Sequence, residues 1–424
     1  MRTQLSPVIS PRRRPEAELL LLCGRTRLKP DTAQRLRELL EKGIDWNYLV
    51  QQALYHGTMP LLFRNLSLVC PDGVPKATLN QLRDCSNEVA RSNLRLTGEL
   101  LHLLNLFREH GIRALPLKGP SLAVTVYQNL ALRHFSDLDI LIPRENMLKA
   151  KELLIQQGYR PNLKLTSSQE SDYLQSHHDY KFVRASDGLV VEIQWGITES
   201  LFCFRLDFDD LWKRRRTFPL AGVELFSPAI EDLLLLLCVH GAKHRWEQLK
   251  WICDTAELVE AYDQKIDWEK VFDRAHRLGC ERMLLLGLFL AHDLLGANLS
   301  TETQTKILDD PKIKWLTGKV SDGLLRHPSD AVPLGDEAPF FYWRARERLR
   351  DKLEILWKYF PLYFRRAVVP NKKDYALLQL PPLLFSSYYL IRPFRLLWEY
   401  WFNFLHRNKA SFFACAFASL DLFG

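Results

Sequence analysis

Leu115-Pro-Leu-Lys-Gly-Pro-Ser121, followed by Arg133-His-Phe-Ser-Asp-Leu-Asp-Ile-Leu-Ile142, is the stretch that decides the fold of this chain. Ile112 to Leu117 has the apolar run of a short strand, Gly119 and Pro120 open a helix through about Tyr127, and Leu138 to Ile142 forms a second strand. Asp137 and Asp139 stand two apart at the head of that second strand. Side chains alternate along a strand, so both carboxylates leave one face while Leu138 and Ile140 leave the other. Two carboxylates on one side repel each other unless a cation sits between them. Mg²⁺, or Mn²⁺ in its place, suits that position, because a hard cation takes oxygen ligands and couples one or two carboxylates to substrate phosphates.

Outward from this stretch, Arg144 to Gln157 reads as a helix stopped by Gly158. Tyr180 to Arg184 and Leu189 to Trp195 read as strands around Ala185-Ser-Asp-Gly188, whose Asp-Gly makes a hairpin turn. Strands interleaved with helices over residues 112–226 predict a small α/β sheet, mixed because of the hairpin, in a chain that is mostly helical overall and so α+β in class. Val190-Val-Glu-Ile-Gln-Trp195 alternates, with Glu192 and Gln194 on one face. Should the hairpin pack beside the Asp137/Asp139 strand, Glu192 becomes a third carboxylate at the same metal cluster. Gly119 lets the backbone approach a phosphate, and free N–H groups at a helix start favour anions. Together these parts suit a metal-assisted phosphoryl or nucleotidyl transfer.

The rest of the chain supplies context. It has 424 residues, 47% hydrophobic and 25% charged, with a formal net charge of +8. That composition excludes collagen-like, disulfide-scaffold and wholly disordered classes. Residues 1–30 and 361–424 each carry +5, so the body between them nets −2, which argues against a continuous basic groove and so against nucleic acid as partner. The eight cysteines form no Cys-x-x-Cys pair and are expected as free buried thiols of a reducing cytoplasm. Leu19 to Cys23, behind Arg12, Arg13 and Arg14, is shorter than the ~7–15 apolar residues of a signal peptide, so a cytoplasmic location is expected. No uncharged apolar run reaches the ~18 residues of a membrane span. Four regions are expected: helices over 1–111, with Asp31 as an N-cap and a long amphipathic run from Lys76 to His110; the sheet over 112–226; a helical domain over 227–339 closing over the site and ending in the Pro-rich break from Pro328 to Pro339; and a basic, aromatic helical region over 340–424. That last region holds 23 of the 48 aromatics.

The order of these motifs is specific. Gly-x-Ser, then Ser-Asp-Leu-Asp at the head of an apolar strand, then a lone acid on a later strand resembles the polymerase-beta-type nucleotidyltransferase superfamily. Leu117-Lys-Gly-Pro, Leu132-Arg133, Asp137-Leu-Asp139, Glu192-Ile-Gln-Trp195 and His240-Gly-Ala-Lys-His244-x-Trp246, followed by Leu249-Lys-Trp251 and Asp254, look like the bacterial "uncharacterised nucleotidyltransferase" family over roughly residues 90–390. The resemblance implies that Asp137 and Asp139 hold the metal ions, that Glu192 completes one site and helps activate the acceptor, and that Gly119 and Ser121 lie under the triphosphate beside Lys118. Pro120 departs from the superfamily pattern: it donates no N–H, leaving the phosphate cradle one donor short.

Three further groups have two readings each. His240, His244 and Lys250 either close over the triphosphate with positive charge, or belong to a packed helical face where His240 bonds a backbone carbonyl and Lys250 pairs with Asp254. Arg133 either neutralises phosphate or pairs with Asp137. His177, His178 and Asp179 either belong to a solvated loop, the favoured reading, or contact substrate. Residues 375–405, bordered by Arg365, Arg366, Lys372, Lys373, Arg392 and Arg395, suit an anionic membrane surface or a protein partner as well as they suit packing on the main body. The expected function is Mg²⁺-dependent transfer of a nucleoside monophosphate from an NTP, ATP foremost, to a hydroxyl of a small molecule or protein. The alternative is a catalytically weak nucleotidyltransferase-fold binding module, antitoxin-like or a membrane-surface partner in polysaccharide assembly.

Overall fold

A computed structural model describes residues 14–198, 204, 206–324, 338–369 and 381–396. The sheet is mixed, with five strands: β1 (Leu115–Pro116), β2 (Asp137–Leu141), β3 (Tyr159–Pro161), β4 (Asp179–Arg184) and β5 (Val190–Gln194). Their spatial order is β1-β2-β5-β4-β3. β2 and β5 run parallel, and every other neighbour pair is antiparallel. A separate hairpin joins β6 (Arg216–Leu220) to β7 (Val223–Ser227) through Ala221-Gly222.

The alternation expected of the acid-bearing strand is present. Leu138 and Ile140 are buried while Asp137 and Asp139 are only partly covered, and on β5 Val191 and Ile193 are buried beside a partly covered Glu192. The inward residues join Leu96, Leu100, Leu103 and Phe107 of the 34-residue Lys76–Glu109 helix in one core. Burying side chains of this size contributes ~1.5–3 kcal/mol each, which is what holds the sheet to that helix. Leu94 of the same helix lies outside that face and is 62% exposed.

A second and larger core joins the N-terminal helices to the helices after the sheet. Pro15–Leu22, Pro30–Leu40, Trp46–Tyr55 and Met59–Val69 pack with Ile230–Lys243, Leu249–Ala261, Trp268–Leu278 and Glu281–Leu295. The Ile230–Lys243 and Glu281–Leu295 helices are apolar nearly all round, as expected of elements enclosed on every side. Trp246 fills the space between them: a Cβ on Gly241 would stand 2.5 Å from its ring, and one on Gly287 2.9 Å. Arg245 and Trp246 both take positive φ (51° and 56°), a strained turn that this packing over-determines.

Several expected boundaries shift. Lys29, not Asp31, is the N-cap of the second helix, because Pro30 takes the first helical position and places Asp31 in the first turn. The Ile112–Leu117 strand shrinks to two residues, and the helix opened by Gly119 ends at Thr125. β3, the Ser167–Ser176 helix and the β6–β7 hairpin have no counterpart in the sequence expectations.

Contacts divide the chain into two compact units, Met1–Lys352 and Leu353–Gly424. In the second, the described residues include the end of the Leu349–Val368 helix and a 3₁₀ segment, Pro382–Ser387, with Trp357, Phe360, Leu390 and Phe394 exposed. Most of the Pro328–Pro339 break, most of the 375–405 aromatic stretch, Cys203 and Cys415 lie outside the described residues. Cys23, Cys70, Cys85, Cys238, Cys253 and Cys280 are free thiols. Among the described residues no helix is long and apolar enough to cross a membrane.

Candidate active site

β2 and β5 bring the three acids together. Asp139 is the direct register partner of Glu192, and Asp137 is that of Val190. Neighbouring strands lie ~4.8 Å apart, so Asp137, Asp139 and Glu192 share one patch of one sheet face. All three line a cavity of about 380 Å³, whose opposite wall is formed by His240, Lys243, His244, Lys250 and Trp251 from the two helices after the sheet.

Each acid has cationic or amide company. Asp139 is held at both oxygens: Lys118 Nζ lies 3.2 Å from Oδ2, and Gln194 Nε2 donates to Oδ1 at 2.7 Å. Lys181 Nζ stands 3.3 Å from Glu192 Oε1. Burial, and then the neighbouring Asp139 carboxylate, push the Asp137 carboxyl above its ordinary value, with Lys118, Lys250 and Lys181 opposing. Burial followed by the Asp139 and Asp137 charges raises Glu192 in the same way.

The chain reversal before the short helix needs its glycine. Gly119 takes φ 61° and ψ −128°, a conformation open to glycine and strained for other residues. It lines the cavity; Ser121, expected under the triphosphate, does not. Ser121 is 3% exposed and its Oγ donates back to the Lys118 carbonyl at 2.8 Å, turned from the opening.

Arg133 lines the cavity and pairs with Asp254, not with Asp137. Its Nε and Nη2 donate to the two oxygens of Asp254 at 2.7 and 2.8 Å, and Tyr127 Oη donates to the same carboxylate at 2.7 Å. Arg133 and Asp254 are 5% and 0% exposed. Asn93 Nδ2 donates to the Arg133 carbonyl at 2.9 Å, fixing the backbone just before β2. Arg133 therefore borders the cavity as a structural brace, and Asp254 takes Arg133 and Tyr127 as its partners in place of the Lys250 pairing that one sequence reading offered.

His240 approaches Lys118 rather than a backbone carbonyl, with Nδ1 3.3 Å from Lys118 Nζ. His244 packs on Trp251, ring centroids 5.0 Å apart. Burial and then the surrounding lysines hold His240 well below the ordinary imidazole value and push His244 down to about 4. Both rings are neutral at pH 7 in this arrangement. Positive charge in the cavity comes instead from Lys118, Lys243 and Lys250, the last with its pKa lowered by burial and by Arg133.

His178, Asp179, Gln194 and Lys243 are among the cavity residues that the sequence reading left without a site role. Asp179 and His178, expected in a solvated loop, sit at the start of β4, where Asp179 is the register partner of Gln194. His178 is 8% exposed and faces Lys243 Nζ at 3.4 Å. Lys243 and Gln194 complete the group; Gln194 shares the Glu192 face of an alternating strand, the one signal that could have found it.

Among the described residues no three His, Cys, Asp or Glu side chains converge closely enough to hold an ion unaided. The donor set nonetheless suits Mg²⁺, which is ordinarily bound by one or two carboxylates together with substrate phosphates rather than by an all-protein cage. No curated protein matches the chain. A family model described as "uncharacterised nucleotidyltransferase" matches residues 42–296, a span that begins earlier and ends sooner than the resemblance read from the motifs and holds all the cavity residues. The chain belongs to the uncharacterised nucleotidyltransferase family.

Proposed function

We propose that this protein transfers a nucleoside monophosphate from an NTP, ATP foremost, to a hydroxyl of a small-molecule or protein acceptor, with Mg²⁺ or Mn²⁺. The observation that carries this reading is the direct pairing of Asp139 with Glu192 on parallel strands, with Asp137 on the same face. Asp137 and Asp139 would hold the cation, Glu192 completing the set. When bound there, a divalent cation supplies neutralisation of phosphate charge and a fixed orientation for the reacting groups.

The chain's own residues do the rest. Lys118, now on Asp139, exchanges that carboxylate for a phosphate oxygen when the nucleotide enters. Lys243 and Lys250 face the charge that develops on the departing pyrophosphate. Glu192, raised by burial and neighbouring acids, accepts the proton of the acceptor hydroxyl as its oxygen bonds to the α-phosphorus and the bond to the bridging oxygen of pyrophosphate breaks. The acceptor is favoured as something other than nucleic acid because the body of the chain lacks basic excess.

The test is label transfer from each α-³²P-NTP into cell extract, comparing the wild type with Asp137→Asn/Asp139→Asn. Labelling of an acceptor by the wild type alone is the expected result. Equal behaviour of the two proteins would remove the enzyme reading. One observation favours the second reading, a binding module with weak or no catalysis: Pro120 offers no N–H at the helix start, and Ser121 Oγ is turned to a backbone carbonyl. Under that reading the wild type binds nucleotide, labels nothing, and uses the fold to engage a protein or membrane-surface partner.

A further inference from the structure

The cavity between the sheet and the helices is not the largest in the molecule. A second one, of about 650 Å³, lies among the Pro15–Leu22 helix and the loop after it, the Tyr127–Leu132 loop, and the C-terminal ends of the Leu249–Ala261 and Glu281–Leu295 helices. This volume falls in the range of small-molecule sites, ~300–1,000 Å³. None of its lining residues is shared with the acid-bearing cavity.

Its charge is unbalanced. Arg25, Arg27, Lys29 and Arg64 face two acids, Glu257 and Glu260, a surplus of two positive charges. The acids are already committed. Arg25 Nε bonds Glu257 Oε1 at 2.7 Å and its Nη2 lies 3.5 Å from Glu260, while Thr26 donates its N–H and hydroxyl to Glu257. Arg64 donates to the Thr26 carbonyl and Lys29 to the Gly296 carbonyl. Among the described residues no carboxylate lies within ion-pairing distance of Arg27, Lys29 or Arg64. The lining also includes the apolar side chains of Leu22, Leu28, Val126, Leu132 and Leu295, beside the neutral polar Thr32, Gln128 and Asn129.

A cavity with a surplus of positive charge and several apolar side chains in its lining suits one kind of molecule. We propose that this second cavity binds a small organic anion with an apolar body, its acidic group held by Arg27, Arg64 and Lys29 and its body laid on the leucines. Arg25 acts as a positioning residue, locking the loop after the first helix onto Glu257 so that the other three cations stay at the cavity. The proposal stands whether or not the acid-bearing cavity transfers nucleotides.

The probe is hexyl phosphate, titrated calorimetrically into the full chain, with inorganic phosphate and hexanol as controls for the charge and the apolar body. Hexyl phosphate is expected to bind with one-to-one stoichiometry and at least tenfold more tightly than either control. Arg27→Glu, at an exposed position the fold does not need, and Arg64→Gln, which keeps a donor for the Thr26 carbonyl, should each weaken it at least tenfold. Ala261→Trp, which adds bulk at an uncharged lining position, should abolish it. Absence of binding by the wild type overturns the proposal, as does wild-type binding by Arg27→Glu and Ala261→Trp. Loss of hexyl phosphate binding in Lys250→Ala would place the anion in the acid-bearing cavity and overturn it equally.

Discussion

Arg133 and Asp254, 121 positions apart, are joined by two parallel hydrogen bonds of 2.7 and 2.8 Å in the interior of the protein. The pair ties the segment leading into β2 to the helix that carries Lys250, so the two walls of the acid-bearing cavity are pinned at one buried point. Removing one partner leaves a desolvated charge, which costs far more than the pair contributes. Asp254→Ala should therefore destabilise the protein by roughly 3–5 kcal/mol in urea unfolding, from which Arg133→Met/Asp254→Leu should recover a large part. A loss under 1 kcal/mol in the single variant would show that the pair is not the brace described.

Gly119 tests the backbone of the phosphate-facing turn. A Cβ there would meet nothing closer than 3.7 Å, so the obstacle to alanine is the φ of 61° with ψ of −128° rather than a clash. Gly119→Ala is expected to cost ~1–3 kcal/mol of stability and to weaken Mg²⁺-ATP binding as the turn relaxes. Unchanged stability and binding would mean that the turn tolerates a side chain.

Lys118 should have opposite effects on metal and nucleotide. Its ammonium occupies one oxygen of Asp139 at 3.2 Å, competing with any cation that approaches that carboxylate. In Lys118→Ala, Mn²⁺ alone, followed by electron paramagnetic resonance, should bind more tightly than to the wild type. Binding of Mg²⁺-ATP should fall by about 1.5–3 kcal/mol, the range of a charged hydrogen bond. Parallel changes in both would contradict the exchange of Lys118 from carboxylate to phosphate.

Acid should destabilise the fold through buried imidazoles. Burial pushes His56 down to about 4, and its Nδ1 accepts the Leu249 N–H at 3.2 Å, an arrangement that needs the neutral ring. A folded-state value below the unfolded one means the contribution is complete above pH ~6.5 and is lost as the pH falls toward 4. Between pH 7.5 and 5 this single group should remove about 2 kcal/mol of unfolding free energy, with His134 and His244 acting in the same direction. His56→Asn keeps an acceptor for Leu249 without the titration, so its stability should fall less steeply over that interval. An identical slope would exclude His56 as a source.

Local pattern was enough to place the acids on one strand face: alternation put Leu138 and Ile140 inward, and Asp187-Gly188 marked the hairpin. The neighbour of β2 was not legible, because either strand of the hairpin satisfies the same alternation. The structure chooses β5, and with it Glu192 rather than Lys181 of β4 as the partner of Asp139. Long-range polar pairs escaped for a similar reason. Spacing suggests an i,i+4 bond between Lys250 and Asp254, but nothing local shows that Arg133 and Tyr127 arrive first. Ser121 and Asp179 moved in opposite directions: the helix starts at Pro120 as expected, but the Ser121 hydroxyl turns back to the Lys118 carbonyl, while β4 begins one residue early and takes Asp179 to the cavity.

The insertion between β2 and β5 has one more consequence. Those strands touch, yet everything from Ile142 to Leu189 intervenes in the chain, and that excursion delivers His178 and Asp179 to the rim of the acid-bearing cavity. Distance between the acids is thus set by two paired strands, while part of the rim is furnished by an excursion of helices and two further strands, β4 and β3. Descendants of one ancestor could trade that module for another and acquire a new clientele without disturbing the chemistry beneath it.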